Sequence, residues 1–180
     1  MKIDNTQART INLRLAEVDD ADFIYSLRTQ SDLTKHLSTI NGDVNDQRKW
    51  LANYKEREKK GIEYYFIISR VDNHERVGTV RLYDFIAAKN SFCWGSWILN
   101  HNKTRSAAIE SALLVYKIGF EILDFSQSHF DVRKDNIKVI DFHKKLGAYE
   151  VGEDENSLIF EYQKSTFESI KSNFEKYLVK

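Results

Sequence analysis

The chain has 180 residues, of which 42% are hydrophobic and 30% charged, a balance typical of one folded domain with a single sizeable core. Its 27 lysines and arginines equal its 27 aspartates and glutamates, so the formal net charge is zero. A neutral chain has no global field that attracts nucleic acid or an anionic membrane, and we expect neither as a partner. The single cysteine, Cys93, excludes an internal disulfide, and neither an apolar leader nor an apolar run of about 18 residues is found. We therefore expect a cytoplasmic protein.

The first half of the chain predicts a strand, two helices and three further strands. After a loose polar segment at residues 1–10, alternating Leu13 and Leu15 indicate the first strand. The acidic run Asp19–Asp22 lies where the helix dipole favours negative charge, at the start of the first helix. A second helix is expected from about residue 43 to residue 60. The next three predicted strands form an antiparallel meander, at 64–69, 76–84 and 92–99.

The second half alternates between helices and strands. Apolar residues at steps of four and three predict a helix. This stripe consists of Ala108, Ala112, Val115, Gly119 and Ile122. A strand at 128–132, a helix at 136–146, a last strand at 157–162 and a docked C-terminal helix at 164–180 follow. We therefore predict an α/β fold with one domain over residues 1–180, its core at 11–162, and a mixed, mostly antiparallel sheet flanked by helices.

A short polar loop joins the strand at 92–99 to the helix behind it, and reads Lys103-Thr104-Arg105-Ser106-Ala107-Ala108. Small, uncharged residues in the first turn of a helix leave backbone N–H groups free to hold an anion. Lys103 and Arg105 can add charge-assisted contacts, and the hydroxyls of Thr104 or Ser106 are further candidate donors. The pattern predicts a phosphate site. The alternative is a helix capped by Ser106 beside two solvent-exposed cations.

The order of elements and several motifs resemble the GCN5-related N-acetyltransferase (GNAT) superfamily, in particular its RimJ/RimL-like branch. The similar segments are the first strand with Asp19–Asp22, the pair Trp50-Leu51, the strand residues 94–98, and Asn136 placed eleven residues before Gly147. This resemblance covers residues 11–162. It implies the GNAT fold, acetyl-CoA as the cofactor, no metal, and direct transfer of an acetyl group to a primary amine.

The resemblance also assigns residues to the cofactor. The family's phosphate loop, Arg/Gln-x-x-Gly-x-Gly/Ala, aligns with 103–108, where Ser106 replaces a glycine. A backbone N–H near residues 96–98 would polarise the thioester carbonyl, and Asn136 would bond the pantetheine arm beside Val139. The implied cofactor-binding residues are Trp97, Ile98, Lys103, Thr104, Arg105, Ser106, Ala107, Ala108, Asn136 and Val139.

The expected catalytic residues are His143 and Ser96. His143 occupies the position of a tyrosine that is usually assigned as the acid to the leaving thiolate; an imidazolium could donate a proton, whereas a neutral imidazole could only relay one. A surface histidine on a helix is the alternative. No general base is singled out, and Asp84, Glu63 or Ser96 acting through a water are candidates. His129 is a further candidate for the site, while Cys93 is expected in the core rather than as a nucleophile.

The expected acceptor is an amino group on a nucleotide-linked sugar, and two other classes are alternatives. The short first loop, the C-terminal helix and the strand around Trp94 and Trp97 resemble GNAT enzymes of bacterial surface-polysaccharide pathways, which acetylate an amino group on a nucleotide-linked sugar. A protein N-terminus, as in RimJ/RimL enzymes, and another small-molecule amine are the other two. The replaced glycine, the histidine at a tyrosine position and the missing base would equally fit a catalytically inactive acyl-CoA-binding domain. A homodimer is also left open.

Overall fold

The computed structural model describes residues 3, 6–37 and 40–179, and these form one sheet of eight strands. The strands are β1 Thr6–Gln7, β2 Ile11–Leu15, β3 Tyr64–Arg70, β4 Arg76–Ile86, β5 Ser91–Leu99, β6 Gln127–Arg133, β7 Tyr149–Glu153 and β8 Ser157–Gln163. Their order across the sheet is β1-β2-β3-β4-β5-β6-β8-β7. Neighbouring strands are antiparallel except β5 and β6, which run parallel.

Helices cover both faces of this sheet. The α-helices are α1 Ala21–Arg28, α2 Ser31–Thr34, α3 Val44–Lys59, α4 Ala107–Lys117, α5 Ile137–Lys145 and α6 Lys164–Ile170. Helices α1 and α3 bury side chains in one apolar cluster with β3, whereas α4, α5 and α6 contribute to a larger cluster on the other face. The predicted mixed α/β architecture is confirmed. None of the helices in the described residues is long and apolar enough to cross a membrane.

Helix α3 shows how local sequence sets an element boundary. The Asp43 carboxylate accepts hydrogen bonds from the backbone N–H groups of Asn45 and Asp46, and the Asp46 carboxylate accepts one from the backbone N–H of Asp43. This reciprocal capping satisfies donors that a helix start otherwise leaves unpaired, so α3 begins where the sequence predicts. Leu51 and Tyr54 are then fully buried against the sheet.

The larger cluster contains many aromatic side chains, which pack against one another as core residues. Phe92 and Trp94 of β5 meet Tyr116 and Phe120 of the helix behind the sheet at ring-centroid distances of 5.5–5.7 Å. Gly119 makes this contact possible, because a Cβ there would lie 2.2 Å from the Phe92 ring. The helical turn at Ile118–Ile122 is π-helical and continues α4.

Three parts of the chain differ from the sequence predictions. The loose N-terminal segment is wrong for Thr6–Gln7, which pairs with β2, and for Ala8, which is fully buried and bridges Leu178; residues 1, 2, 4 and 5 lie outside the described residues. Strand β7 was not predicted, because Tyr149–Glu153 is mostly exposed and lacks a clear alternation of burial. The C-terminal helix is present, but it is α-helical only to Ile170 and continues as 3₁₀-helix from Lys171 to Tyr177.

Candidate active site

The two parallel strands at the centre of the sheet separate along their length. Strands β5 and β6 are paired only at Ser91 with Gln127 and at Phe92 with Ser128. Beyond these pairs a gap opens between them. Strand β5 also contains a bulge beside this gap. Gly95 pairs with Arg81 of β4, and Ile98 pairs with Thr79, so three steps along β5 match only two steps along β4.

The bulge lies at Ser96 and Trp97. Ser96 has a φ of 48°, in the left-handed region that non-glycine residues seldom adopt. The Thr79 hydroxyl donates a hydrogen bond to the Ser96 carbonyl at 3.0 Å, which anchors the bulge to β4. Strained backbone of this kind often marks a functional position.

The gap forms a cavity of about 580 Å³. Its walls come from β4, β5, β6, α5 and the segment that includes α2. Five of the predicted site residues lie on these walls: Ser96, Trp97, Asn136, Val139 and His143. Ile98 of β5 is instead buried and does not line the cavity, and the loop 103–108 lies away from it, at the start of α4. The structure therefore brings five of the twelve predicted residues together at the cavity, and places the six residues of the loop 103–108 elsewhere.

The loop 103–108 is held in place by the buried carboxylate of Glu110. Glu110 is fully buried, and it accepts hydrogen bonds from the backbone N–H groups of Thr10 and Ile11 and from the Ser106 hydroxyl. The Thr10 hydroxyl also donates to Glu110, so its oxygen is left to accept from Thr104 at 2.7 Å. In this structure both loop hydroxyls are thus engaged with protein groups, and the role of Thr104 and Ser106 at a phosphate stays a prediction.

The loop nevertheless keeps its backbone donors. Among the described residues, the N–H groups of Ser106, Ala108 and Ile109 have no hydrogen-bond acceptor. Lys103 and Arg105 are exposed beside them, and Ala107 and Ala108 add no bulk. Free N–H groups, a helix start and two nearby cations are the features that hold a phosphate.

His143 is buried, with 3% of its surface exposed, so the interpretation as a surface histidine is wrong. Its ring packs 4.3 Å from the Phe130 ring and 5.3 Å from the Trp94 ring, measured between centroids. Burial lowers the pKa of His143 to about 3, because the charged imidazolium is costly away from water. The imidazole is therefore neutral at physiological pH in this structure, which favours the relay role over an imidazolium donor. Its Nδ1 has no hydrogen-bond partner among the residues the structure describes.

Of the predicted candidates for a general base, Ser96 lies on the cavity wall, whereas the two carboxylates lie outside it. Glu63 is buried and forms ion pairs with Arg57 and Arg81. Asp84 accepts from His129, whose other ring nitrogen lies 2.6 Å from the Ser91 hydroxyl. Neither carboxylate lines the cavity, and each is committed to a protein partner.

Among the wall residues that sequence reasoning missed are Tyr83 and Asp131. A Cβ on Gly95 would lie 3.0 Å from the Tyr83 hydroxyl, so the glycine makes room for the phenol beside the bulge. The alternating burial along β6 indicates that Asp131 faces away from the core. This pattern does not indicate that β5 and β6 separate beside Asp131. Cys93 is buried near Tyr83 and burial raises the pKa of its thiol to about 12, so its expected core role is confirmed.

Comparison with known proteins identifies the family. Residues 10–149 match the family model described as an acetyltransferase (GNAT) domain. The chain belongs to the GNAT acetyltransferase family. It is 49% identical to apo FdhC, described as a nucleotide-linked sugar GNAT, with a TM-score of 0.92 over 97% of this chain and 98% of that one. It is 28% identical over 153 residues to the probable N-acetyltransferase YjcK of Bacillus subtilis (strain 168), covering 81% of this chain and 84% of that protein.

More distant GNAT structures share the fold alone. A ribosomal-protein-S5-alanine acetyltransferase from Vibrio fischeri superposes with a TM-score of 0.78 over 89% of this chain and 96% of that one, at 15% identity. The prediction of a GNAT acyltransferase is confirmed, and GNAT acetyltransferases use acetyl-CoA.

Proposed function

We propose that this GNAT enzyme transfers an acetyl group from acetyl-CoA to a primary amine on a nucleotide-linked sugar. The observation that carries the proposal is the 49% identity, over nearly the whole of both chains, to a protein described as a nucleotide-linked sugar GNAT. Identity at this level over 97% of the chain extends beyond the fold that all GNAT structures share.

The charges on the cavity wall support an acceptor that carries both signs. Lys35 and Arg133 provide positive charge, and Asp32 and Asp131 provide negative charge. A nucleotide-linked amino sugar has an ammonium group at one end and a diphosphate towards the other. A polyamine would need acidic groups alone, so the two cations favour the sugar nucleotide.

The residues present also fit acetyl-CoA, which supplies an acetyl group activated as a thioester. The free N–H groups at the start of α4, with Lys103 and Arg105, are suited to its phosphates. Asn136 and Val139 line the gap, where a slender pantetheine arm fits between the separated strands. The unpaired His143 Nδ1 adds a buried polar atom that a ligand in the gap can satisfy.

Measuring thiol release from acetyl-CoA against a panel of amines tests the proposed function. The panel contains nucleotide-linked amino sugars, the same sugars without the nucleotide, peptides with free N-termini, and polyamines. We expect thiol release with at least one nucleotide-linked amino sugar and much slower release with its free sugar. Release with peptides alone would favour an N-terminal acetyltransferase, and CoA binding without release on any amine would favour an inactive acyl-CoA-binding domain.

The phosphate assignment predicts a selective loss of affinity. Replacing Lys103 and Arg105 together by alanine should weaken CoA binding roughly 5- to 30-fold, because two exposed charge-assisted contacts are lost, each worth about 0.5–1 kcal/mol. Calorimetric titration with CoA and with pantetheine, which lacks the phosphates, measures the difference. The matched control replaces Lys60 and Lys89, two exposed lysines elsewhere, and should leave both affinities unchanged. An equal loss of pantetheine affinity would contradict the assignment.

A further inference from the structure

The separation of β5 and β6 determines which residues face each other across the cavity. Their last pair is Phe92 with Ser128, so three residues further along each strand lie Gly95 and Asp131. Parallel strands rise equally, at about 3.3 Å per residue, and side chains alternate between faces. Gly95 and Asp131 are therefore at the same level and on the same face, opposite to the face that carries Phe92.

The bulge of β5 lies at the same height along the strands as Gly95 and Asp131, because Ser96 follows Gly95 directly. Tyr83, which pairs with Cys93, lies on the same face and reaches over Gly95 with its hydroxyl. Tyr83 and Asp131 both line the cavity, and burial, followed by the neighbouring Cys93 thiol, raises the pKa of the Tyr83 phenol. Asp131 and the protonated Tyr83 thus lie together on one side of the gap, beside the strained backbone of Ser96.

Asp131 differs from the other carboxylate on the cavity wall. Asp32 lies 3.0 Å from a ring nitrogen of His101, with which it can form an ion pair. Asp131 forms neither a hydrogen bond nor an ion pair with any residue that the structure describes, and its side chain is exposed to the cavity. An ionised carboxylate without a partner offers two acceptor oxygens to a cationic ligand.

We propose that Asp131 is the residue that binds the ammonium group of the acceptor, so that the enzyme selects an amine over the corresponding hydroxyl. Its place level with Gly95 holds the nitrogen beside the bulge at Ser96. Arg133, two residues further along β6 and on the same face, lies roughly 7 Å away along the strand, on the side where the rest of the acceptor extends. This inference rests on the proposed function for its choice of acceptor, but the role of Asp131 is testable with any amine that the enzyme accepts.

The test compares two ligands that differ only at the reacting position. Wild-type protein saturated with CoA is titrated calorimetrically with a nucleotide-linked amino sugar and with its analogue that carries a hydroxyl at the same carbon. We expect the amine to bind 10- to 100-fold more tightly. In Asp131→Asn this ratio should fall to near one, while the affinity for the hydroxyl analogue stays within about twofold of wild type.

A control variant and two contrary results complete the test of Asp131. Glu161→Gln makes the same carboxylate-to-amide change on the neighbouring strand β8, outside the cavity, and should retain the wild-type ratio. An unchanged ratio in Asp131→Asn, or an equal loss of affinity for both ligands, would overturn the assignment. If neither sugar nucleotide binds wild-type protein, the proposed acceptor class fails, and the ratio is measured instead with the amine that releases thiol and its hydroxyl counterpart. If no amine releases thiol or binds, the role of Asp131 is refuted as well.

Discussion

Glu110→Ala should lower the free energy of unfolding by about 2–5 kcal/mol, because it leaves the buried backbone N–H of Ile11 and the partly buried N–H of Thr10 without an acceptor, at about 1–3 kcal/mol each. The carboxylate is fully buried, and no other group in the part of the chain that the structure describes is bonded to these two donors. The Ser106 hydroxyl loses its acceptor at the same time, so the start of α4 loosens. Urea unfolding monitored by fluorescence measures the change.

Two further variants show whether the buried acceptor is the cause. Glu110→Gln keeps one acceptor oxygen and should recover roughly half of the loss. Glu168→Ala removes an exposed glutamate from α6 and should change the free energy of unfolding by less than about 0.5 kcal/mol. A Glu110→Ala variant as stable as wild type would contradict the role of this carboxylate in joining α4 to the turn between β1 and β2.

His143 is expected to make the protein sensitive to mild acid. Its pKa is about 3 in the folded protein and about 6.5 when unfolded, so below pH 6.5 the unfolded state binds a proton that the folded state does not. Stability is then lost by about 1.4 kcal/mol per pH unit as the pH falls from 6.5 towards 3. At pH 4.5 the contribution amounts to roughly 2–3 kcal/mol.

Comparison of wild type with His143→Phe isolates this contribution from that of other titrating groups. The substituted ring remains beside Phe130 and Trp94, so the two proteins should have similar stability at pH 7.5. Between pH 6.5 and 4.5 the wild type should lose stability relative to the variant. Ile140→Val on the same helix removes one methylene and should shift stability by a constant amount at every pH. Parallel curves for wild type and His143→Phe would refute a depressed pKa.

Local signals in the sequence were sufficient for most element boundaries. Asp43 and Asp46 cap α3 within one turn, and the alternation around Leu13 and Leu15 identifies β2 without reference to the rest of the chain. Strand β7 was missed because its residues are largely exposed and its pairing with β8, not its own pattern, makes it a strand.

The parts of the candidate site that were not predicted depend on contacts between distant segments. Thr10 and Glu110 are one hundred residues apart, and nothing near either one indicates that a buried carboxylate will hold the turn. The burial of His143 depends on Phe130 from another element. Asp131 faces a gap that exists only because β5 and β6 stop pairing after two residues, and no local pattern encodes that separation.

The same separation gives the sheet two inner edges in addition to its two outer ones. Unpaired strand edges can recruit a strand from another molecule, so folded proteins shorten, charge or cover them. The outer edges follow this rule: β1 has only two residues, and β7 carries glutamates and an irregular register at Gly152. At the inner edges, cover comes from the short segment around α2 and from whatever ligand lies between the strands. A ligand that occupies the gap is therefore expected to cover these inner edges, in addition to serving the reaction.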